Sequence, residues 1–559
     1  MFRSDVADRA PGGASVFAWL SATATARYAV FLGFAVLLFL SWGRNVNWDE
    51  FYFLSHVHAF LDGRLDRPLQ TVYVHAFGWL ATIPGHEMGQ IVIARLVMTG
   101  LLAVTCLSIF RMATALADRR AAWIALVAFL SSGFTLAHGT SFRADPIAAA
   151  GLMAALAILF TARLSVGQIL AVAVLSAFAL LVTIKAVLYF PAYLAVLIWR
   201  WREPGLPLRI LTAWLLGLAI AAALFALHSA GIEAPADKTA MSNAQGALHT
   251  TLLQSGLFPR GRDALLWALL SSGTLALAWF GVSRAGARLG WLLLAFAAPL
   301  ILSIVFYRNA FPYFFPFITP PLMIAAAVGA ARLGSGPALG ALMALMLASG
   351  SVQAIAAASE SAETQRATLA EIHRLFPEPV PYIDQNAMVA SFPRQSFFMS
   401  TWGILKYRAA GQPVMADLIA ETQPPLLLTN RWTLDQAMTA PEITDSALSL
   451  LPPDQSVLRQ SYVHYSGAIW LAGQTVTLGE SAHELDLPVH GRYRVIADTP
   501  VRLAGETVQP EDTVELTGPV MLTGPAGGKV TLIWDTTAPQ RPGALPQRAL
   551  YAGFWQLPF

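Results

Sequence analysis

The sequence predicts a polytopic α-helical membrane protein of about eleven transmembrane helices, followed by an exported soluble domain of α/β plus small β-sandwich character. Three observations carry that reading. The 559 residues are 56% hydrophobic and only 12% charged, about half the charged share of a soluble globular chain. Apolar runs follow one another from residue 28 to residue 357. Beyond 357 no run is long enough to cross a bilayer, and Pro, Gly, Thr and charged residues become frequent.

A helix needs roughly 20 apolar residues to cross the hydrocarbon, fewer with aromatic flanks. The expected spans are 28–43, 90–110, 121–138, 147–162, 167–183, 186–199, 210–230, 264–282, 290–306, 313–331 and 337–357. The first run lacks a small-residue cleavage site and reads as an uncleaved anchor. Basic residues set the orientation. With the N-terminus inside, the inner segments hold Arg3, Arg9, Arg27, Arg111, Arg119, Arg120, Arg163, Arg200, Arg202, Arg209, Arg284, Arg288 and Arg332, and the outer loops hold fewer. The positive-inside tendency therefore predicts a cytoplasmic N-terminus and an exported C-terminus. A formal charge of +3 gives no reason to expect nucleic acid as a partner. Cys106 is the only cysteine, so no intramolecular disulfide forms.

The exported part divides in two. Residues 358–480 mix a helical stretch, AETQRATLAEIHRLF, with short strands such as PLLLTN and GAIWLAG, as in an α/β layer. Residues 481–559 alternate between turns and read as a small antiparallel sandwich. Tryptophans inside those strands read as core, and no site is assigned there.

Two acidic motifs lie at the outer ends of apolar runs. In NWDEFYFLSHVHAFLDG, Phe53, Leu54, Val57, Phe60 and Leu61 share one helical face, while Ser55, His56, His58 and Asp62 share the other. Asn47 with Glu50 resembles a capping box, and Asp49 and Glu50 suit a helix N-terminus. In SFRADPIAAAG, Asp145 before Pro146 reads as an N-cap. Helix chemistry alone accounts for each motif separately, but not for their company. On the same expected face lie Asp66 and Arg67, Arg143, Lys185, and Arg308 with Asn309. Ionisable groups at the edges of spans commonly mark a pathway or site. Carboxylates beside several cations supply a base and counter-charges for a phosphate ester.

The order of these parts resembles the GT-C superfamily of membrane glycosyltransferases, nearest the branch of the protein O-mannosyltransferases and lipid A aminoarabinose transferases. The resemblance covers roughly residues 28–357 and rests on WDE after the first span, DRP at 66–68, RADP at 143–146 and the late RNAFPY segment. It implies an inverting enzyme on the periplasmic face of a bacterial inner membrane. The donor would be a polyprenyl-phosphate sugar and the acceptor a glycolipid, glycan or protein. It implies Asp49 as general base with Glu50 its neighbour, Asp145 as the second-loop acid, and Asp66, Arg67, Arg143, Lys185, Arg308 and Tyr313 around the donor phosphate. Arg67 and Leu69 depart from the acid-lysine-proline-proline patch of the aminoarabinose transferases. No cofactor follows from the resemblance. Some GT-C enzymes hold a divalent cation, but His56, His58, His75, His86 and His138 read as interfacial residues, so no metal site is assigned. The alternative function is a transporter or flippase for a lipid-linked or anionic substrate, which predicts inverted repeats and helices broken at the bilayer midplane.

Overall fold

A computed structural model describes residues 19–232, 256–536, 545 and 550–553. Arg3 and Arg9, counted for orientation, lie outside the described residues. Six of the expected spans are single helices long and apolar enough to cross a membrane: Thr23–Gly43, Glu87–Leu116, Ala144–Thr161, Leu206–Ala230, Ala287–Phe306 and Pro337–Ala358. Two more are bent pairs, Gly261–Leu270 with Ser272–Ser283 at 85° and Pro312–Ile318 with Pro320–Leu333 at 50°. By length and composition the count is six, or up to eight, among the described residues.

The shortfall from eleven has a local cause in each case. The run at 121–138 stops as the helix Arg119–Leu130 ends, turns through Phe134 at φ 71°, and resumes only as Thr135–His138. The two spans expected at 167–183 and 186–199 are present as shorter apolar helices, Val166–Val182 and Ile184–Trp199. They break at Thr183, whose backbone is extended. Hydropathy counts apolar residues and is blind to such interruptions.

Two glycines bring helices into backbone contact. A Cβ on Gly329 would lie 2.0 Å from the Leu277 carbonyl oxygen, and one on Gly281 would lie 2.1 Å from that of Ala325. The helices Ser272–Ser283 and Met323–Leu333 can pack this closely only while both positions lack a side chain. Gly329→Ala is expected to cost about 1–3 kcal/mol through overpacking, read as a lower melting temperature of the purified protein in detergent.

The part that follows residue 358 contains two sheets among the described residues. The first has seven strands and includes the parallel pair Tyr382–Asp384 and Leu426–Leu428. Its central strand, Ile469–Thr477, bonds through its first half to Leu426–Leu428 and Tyr462–Ser466, and through its second half to Lys529–Trp534. The sheet therefore runs without a break across residue 480, where the sequence suggested a division. A four-stranded sheet formed by His483–Leu485, Val520–Thr523, Val501–Leu503 and Glu506–Val508 faces it. Leu503, Val508 and Leu522 meet Val495, Val530 and Leu532 in the shared core, giving the sandwich character expected.

The C-terminal part is fastened to the helices. One apolar cluster joins Val46, Phe51 and Ile91 to Leu369, Ile372, Leu426 and Ile469. The Gln365 side chain accepts from the Val46 backbone N–H at 2.8 Å and donates to its carbonyl at 2.8 Å. Glu87 accepts from the Ser391 hydroxyl at 2.6 Å and lies 2.9 Å from His373.

Candidate active site

The helix Trp48–Leu61 begins as the sequence suggests, with Asn47 and Glu50 forming a complete capping box. Adjacent residues on a helix point about 100° apart, so Asp49 and Glu50 go separate ways. Glu50 is fully buried and takes a forked pair from Arg95, Nε to Oε2 at 2.8 Å and Nη2 to Oε1 at 2.6 Å. It also accepts from the Phe142 backbone N–H at 2.9 Å. Arg95, 2% exposed inside the helix Glu87–Leu116, donates as well to the carbonyls of Arg44 (2.9 Å) and Asn45 (3.0 Å). The pair thus ties the exit of the first span, the start of the surface helix and the loop before Arg143 to one point.

Asp49 faces the other way, 17% exposed, in a salt bridge with Arg143. Arg143 lies 3.8 Å from Asp145 through Nε, and Asp145 is paired with Lys185. Asp49, Arg143, Asp145 and Lys185 therefore form one continuous chain of alternating charge drawn from three separate segments. Arg143, not Asp145, holds the N-cap position of Ala144–Thr161, which leaves the Asp145 carboxylate to the cations. The Arg143 guanidinium stacks 3.5 Å above the Tyr313 ring, and the Lys185 ammonium lies 4.9 Å from the Phe314 ring. Burial opposes the Arg143 charge, but Asp49, Tyr313 and Asp145 outweigh it, and the guanidinium stays protonated.

Arg308 lies next to this chain. Its guanidinium is 3.9 Å above Trp402, and its buried Nε has no hydrogen-bond partner among the described residues. Asp66 and Arg67 stand apart. They face each other at 3.4 Å, each about half exposed, with Arg67 beside the Tyr52 ring. The structure does not bring them to the Asp49–Arg143 chain.

Above Asp49 opens a cavity of about 1010 Å³. Its floor includes Asp49, Trp48, Asn309 and Tyr313 from the helical part, and its roof comes from the exported part. There Arg431 stacks 3.9 Å over Trp48, and Trp402 donates to the Asn309 carboxamide oxygen at 3.0 Å. Thr429, Asn430 and Arg431 follow the strand Leu426–Leu428 directly, at the carboxyl end of a parallel pair, a common place for ligand groups in α/β layers. No motif in the sequence marks these residues as a site. The one local signal is the polar, aromatic TNRW immediately after a fully buried LLL.

No family model and no curated protein matches the sequence. Solved structures do match the fold, two of ArnT among them. ArnT from Cupriavidus metallidurans bound to undecaprenyl phosphate is 14% identical, with 76% of this chain and 97% of that one covered and a TM-score of 0.53. The apo state of the same protein gives 15% identity, 73% and 93% coverage and a TM-score of 0.51. The chain has the GT-C fold.

Within this GT-C fold the outer-face histidines are occupied with protein partners. His56 meets the Tyr73 hydroxyl, His58 the Gln90 side chain and His75 His228, each at 2.9 Å, while His86 stacks on His373. Among the described residues no three His, Cys, Asp or Glu side chains are grouped to hold a metal ion.

The buried pair also sets a pH dependence for the fold. Burial pushes the Glu50 carboxyl up, but Arg95, by charge and hydrogen bonds, together with Arg44 and the Phe142 N–H, brings it below the ordinary 4.5. A carboxyl whose pKa is depressed by folding stabilises above its unfolded value and loses that contribution as pH falls. Thermal stability should therefore drop as pH is lowered through and below 4.5, and Glu50→Gln should flatten that drop. Melting curves across this range read the difference.

Proposed function

We propose that the protein is an inverting glycosyltransferase that moves a sugar from a polyprenyl-phosphate donor to a glycolipid, glycan or protein acceptor on the periplasmic face of a bacterial inner membrane. In this orientation the N-terminus is cytoplasmic and the C-terminal domain periplasmic. The observation that carries the proposal is the position of Asp49, on the floor of the cavity and bonded to Arg143 at the head of a charged chain. Among Asp49, Asp145, Arg143, Lys185, Arg308 and Arg431, cations outnumber carboxylates. Arg308 and Arg431 stack on Trp402 and Trp48, and Asp49 acts on Arg431 by charge.

That imbalance suits the reaction. As the bond between the anomeric carbon and the phosphate oxygen breaks, the departing polyprenyl phosphate gains a second negative charge. Fixed guanidinium and ammonium groups stabilise charge that develops in the transition state, and the guanidinium fork matches phosphate oxygens. Asp49 accepts the acceptor's proton as its oxygen attacks from the opposite side, which inverts the anomeric centre. Glu50 is a positioning residue: it holds Asp49 and Arg143 in register through Arg95. Asp66 and Arg67, exposed and apart from the charged chain, would meet the donor only at its approach.

The bent helices are a feature that a transporter would share. Their breaks at Ser271 and Thr319 carry no ionisable side chain, whereas the charges gather beneath the exported domain. A deletion strain tests the proposal. Its envelope lipids, glycans or proteins should lack one sugar, visible as a mass shift. Unchanged masses together with a defect in solute or lipid movement would favour transport.

A further inference from the structure

We propose that the exported-domain wall of the cavity is a saccharide subsite, so that the acceptor presents a sugar ring there; this deepens the glycosyl-transfer reading above and rests on it. The lining takes 4 of the chain's 16 tryptophans, Trp48, Trp402, Trp432 and Trp470, from only 23 of its 559 residues. Two of them, Trp48 on the floor and Trp402 across from it, carry an arginine on one face. The other two belong to the exported wall.

Packing accounts for only part of that second pair: Trp470 packs in part against the sandwich core. Trp432 opens the helix Trp432–Thr439 and is 38% exposed. Trp470 lies between Ile469 and Leu471, both fully buried against the helical part, and side chains alternate along a strand. Its indole is therefore turned to the opposite face, where His464 meets it edge-on at 4.9 Å. Hydrogen-bonding side chains line the same cavity: Asp435, Thr439 and His464.

Flat indole faces with a negative quadrupole, set among amide, hydroxyl and carboxylate groups, match a pyranose. Its C–H face packs on the ring while its hydroxyls bond at the edge. A volume near the top of the roughly 300–1,000 Å³ typical of small-molecule sites leaves room for more than one ring. A peptide docking as an added strand needs an open sheet edge. The segment that carries Trp470 has none, because Ile469–Leu471 is paired on both sides.

The test is ligand-observed NMR on the full-length protein in nanodiscs. The probes are a deacylated lipid A disaccharide, a peptidoglycan disaccharide and a mannobiose, with a Ser/Thr-rich twelve-residue peptide for contrast. At least one saccharide should bind, and Trp432→Ala and Trp470→Phe should each weaken it about tenfold. Trp470→Phe keeps the apolar body and removes an indole N–H that has no acceptor among the described residues, so the fold is spared. Binding of no saccharide, saccharide binding unchanged in both variants, or peptide binding that depends on these two residues overturns the proposal. Transfer by an Asp49→Asn variant is read separately, so failure of the reaction reading and failure of the saccharide subsite give different results.

Discussion

In membranes supplied with a radiolabelled polyprenyl-phosphate sugar, Asp49→Asn is expected to lower transfer by about 10²–10⁴-fold, the usual contribution of a positioned general base. Asparagine keeps the size and polarity of the side chain but cannot accept a proton. Removing the Asp49 charge also releases Arg143 from its salt bridge and leaves it to Asp145, 3.8 Å away, and to any phosphate in the cavity. Donor binding should therefore persist or tighten while product formation falls, a loss confined to the rate of the chemical step. Full transfer by this variant would remove Asp49 from its role. Weaker donor binding with an unchanged rate would make it a binding residue instead.

The largest loss of stability is expected from Arg95→Met. It leaves the Glu50 carboxylate fully buried with its counter-charge gone, and breaking one side of a buried pair costs about 3–5 kcal/mol. The carbonyls of Arg44 and Asn45 lose their donor at the same time. Pairing the change with Glu50→Leu should recover much of the loss, because replacing both partners with apolar groups is far cheaper than orphaning one. Thermal melts of the two single variants and the double variant give the coupling directly. Additive losses would mean that the two residues act independently.

Much of the charged chain was legible in the sequence because Asp49, Arg143, Asp145 and Lys185 are ionisable groups at the ends of apolar runs, where little besides function or a helix end calls for them. The amphipathic start at Asn47 and the alternation of the late strands were legible too, since both are local patterns. Three things were not. Glu50 cannot be told from Asp49 without knowing which face Arg95 approaches. Arg95 itself lies inside a long apolar run and shows only as a cation out of place. Arg431 and Trp402 stand more than 300 residues from Asp49 and reach it only through the fold, so no spacing announces them. The bends at Ser271 and Thr319 escaped for the opposite reason, since the apolar runs continue through them and hydropathy registers no change, whereas the break at Thr183 falls where the sequence separates two spans.

The strand Ile469–Thr477, bonded at one end to the α/β layer and at the other to the sandwich, has a mechanical consequence. A chain cut near residue 480 would leave Lys529–Trp534 without a neighbour on one side, so the sandwich is not a module that can be grafted or shed.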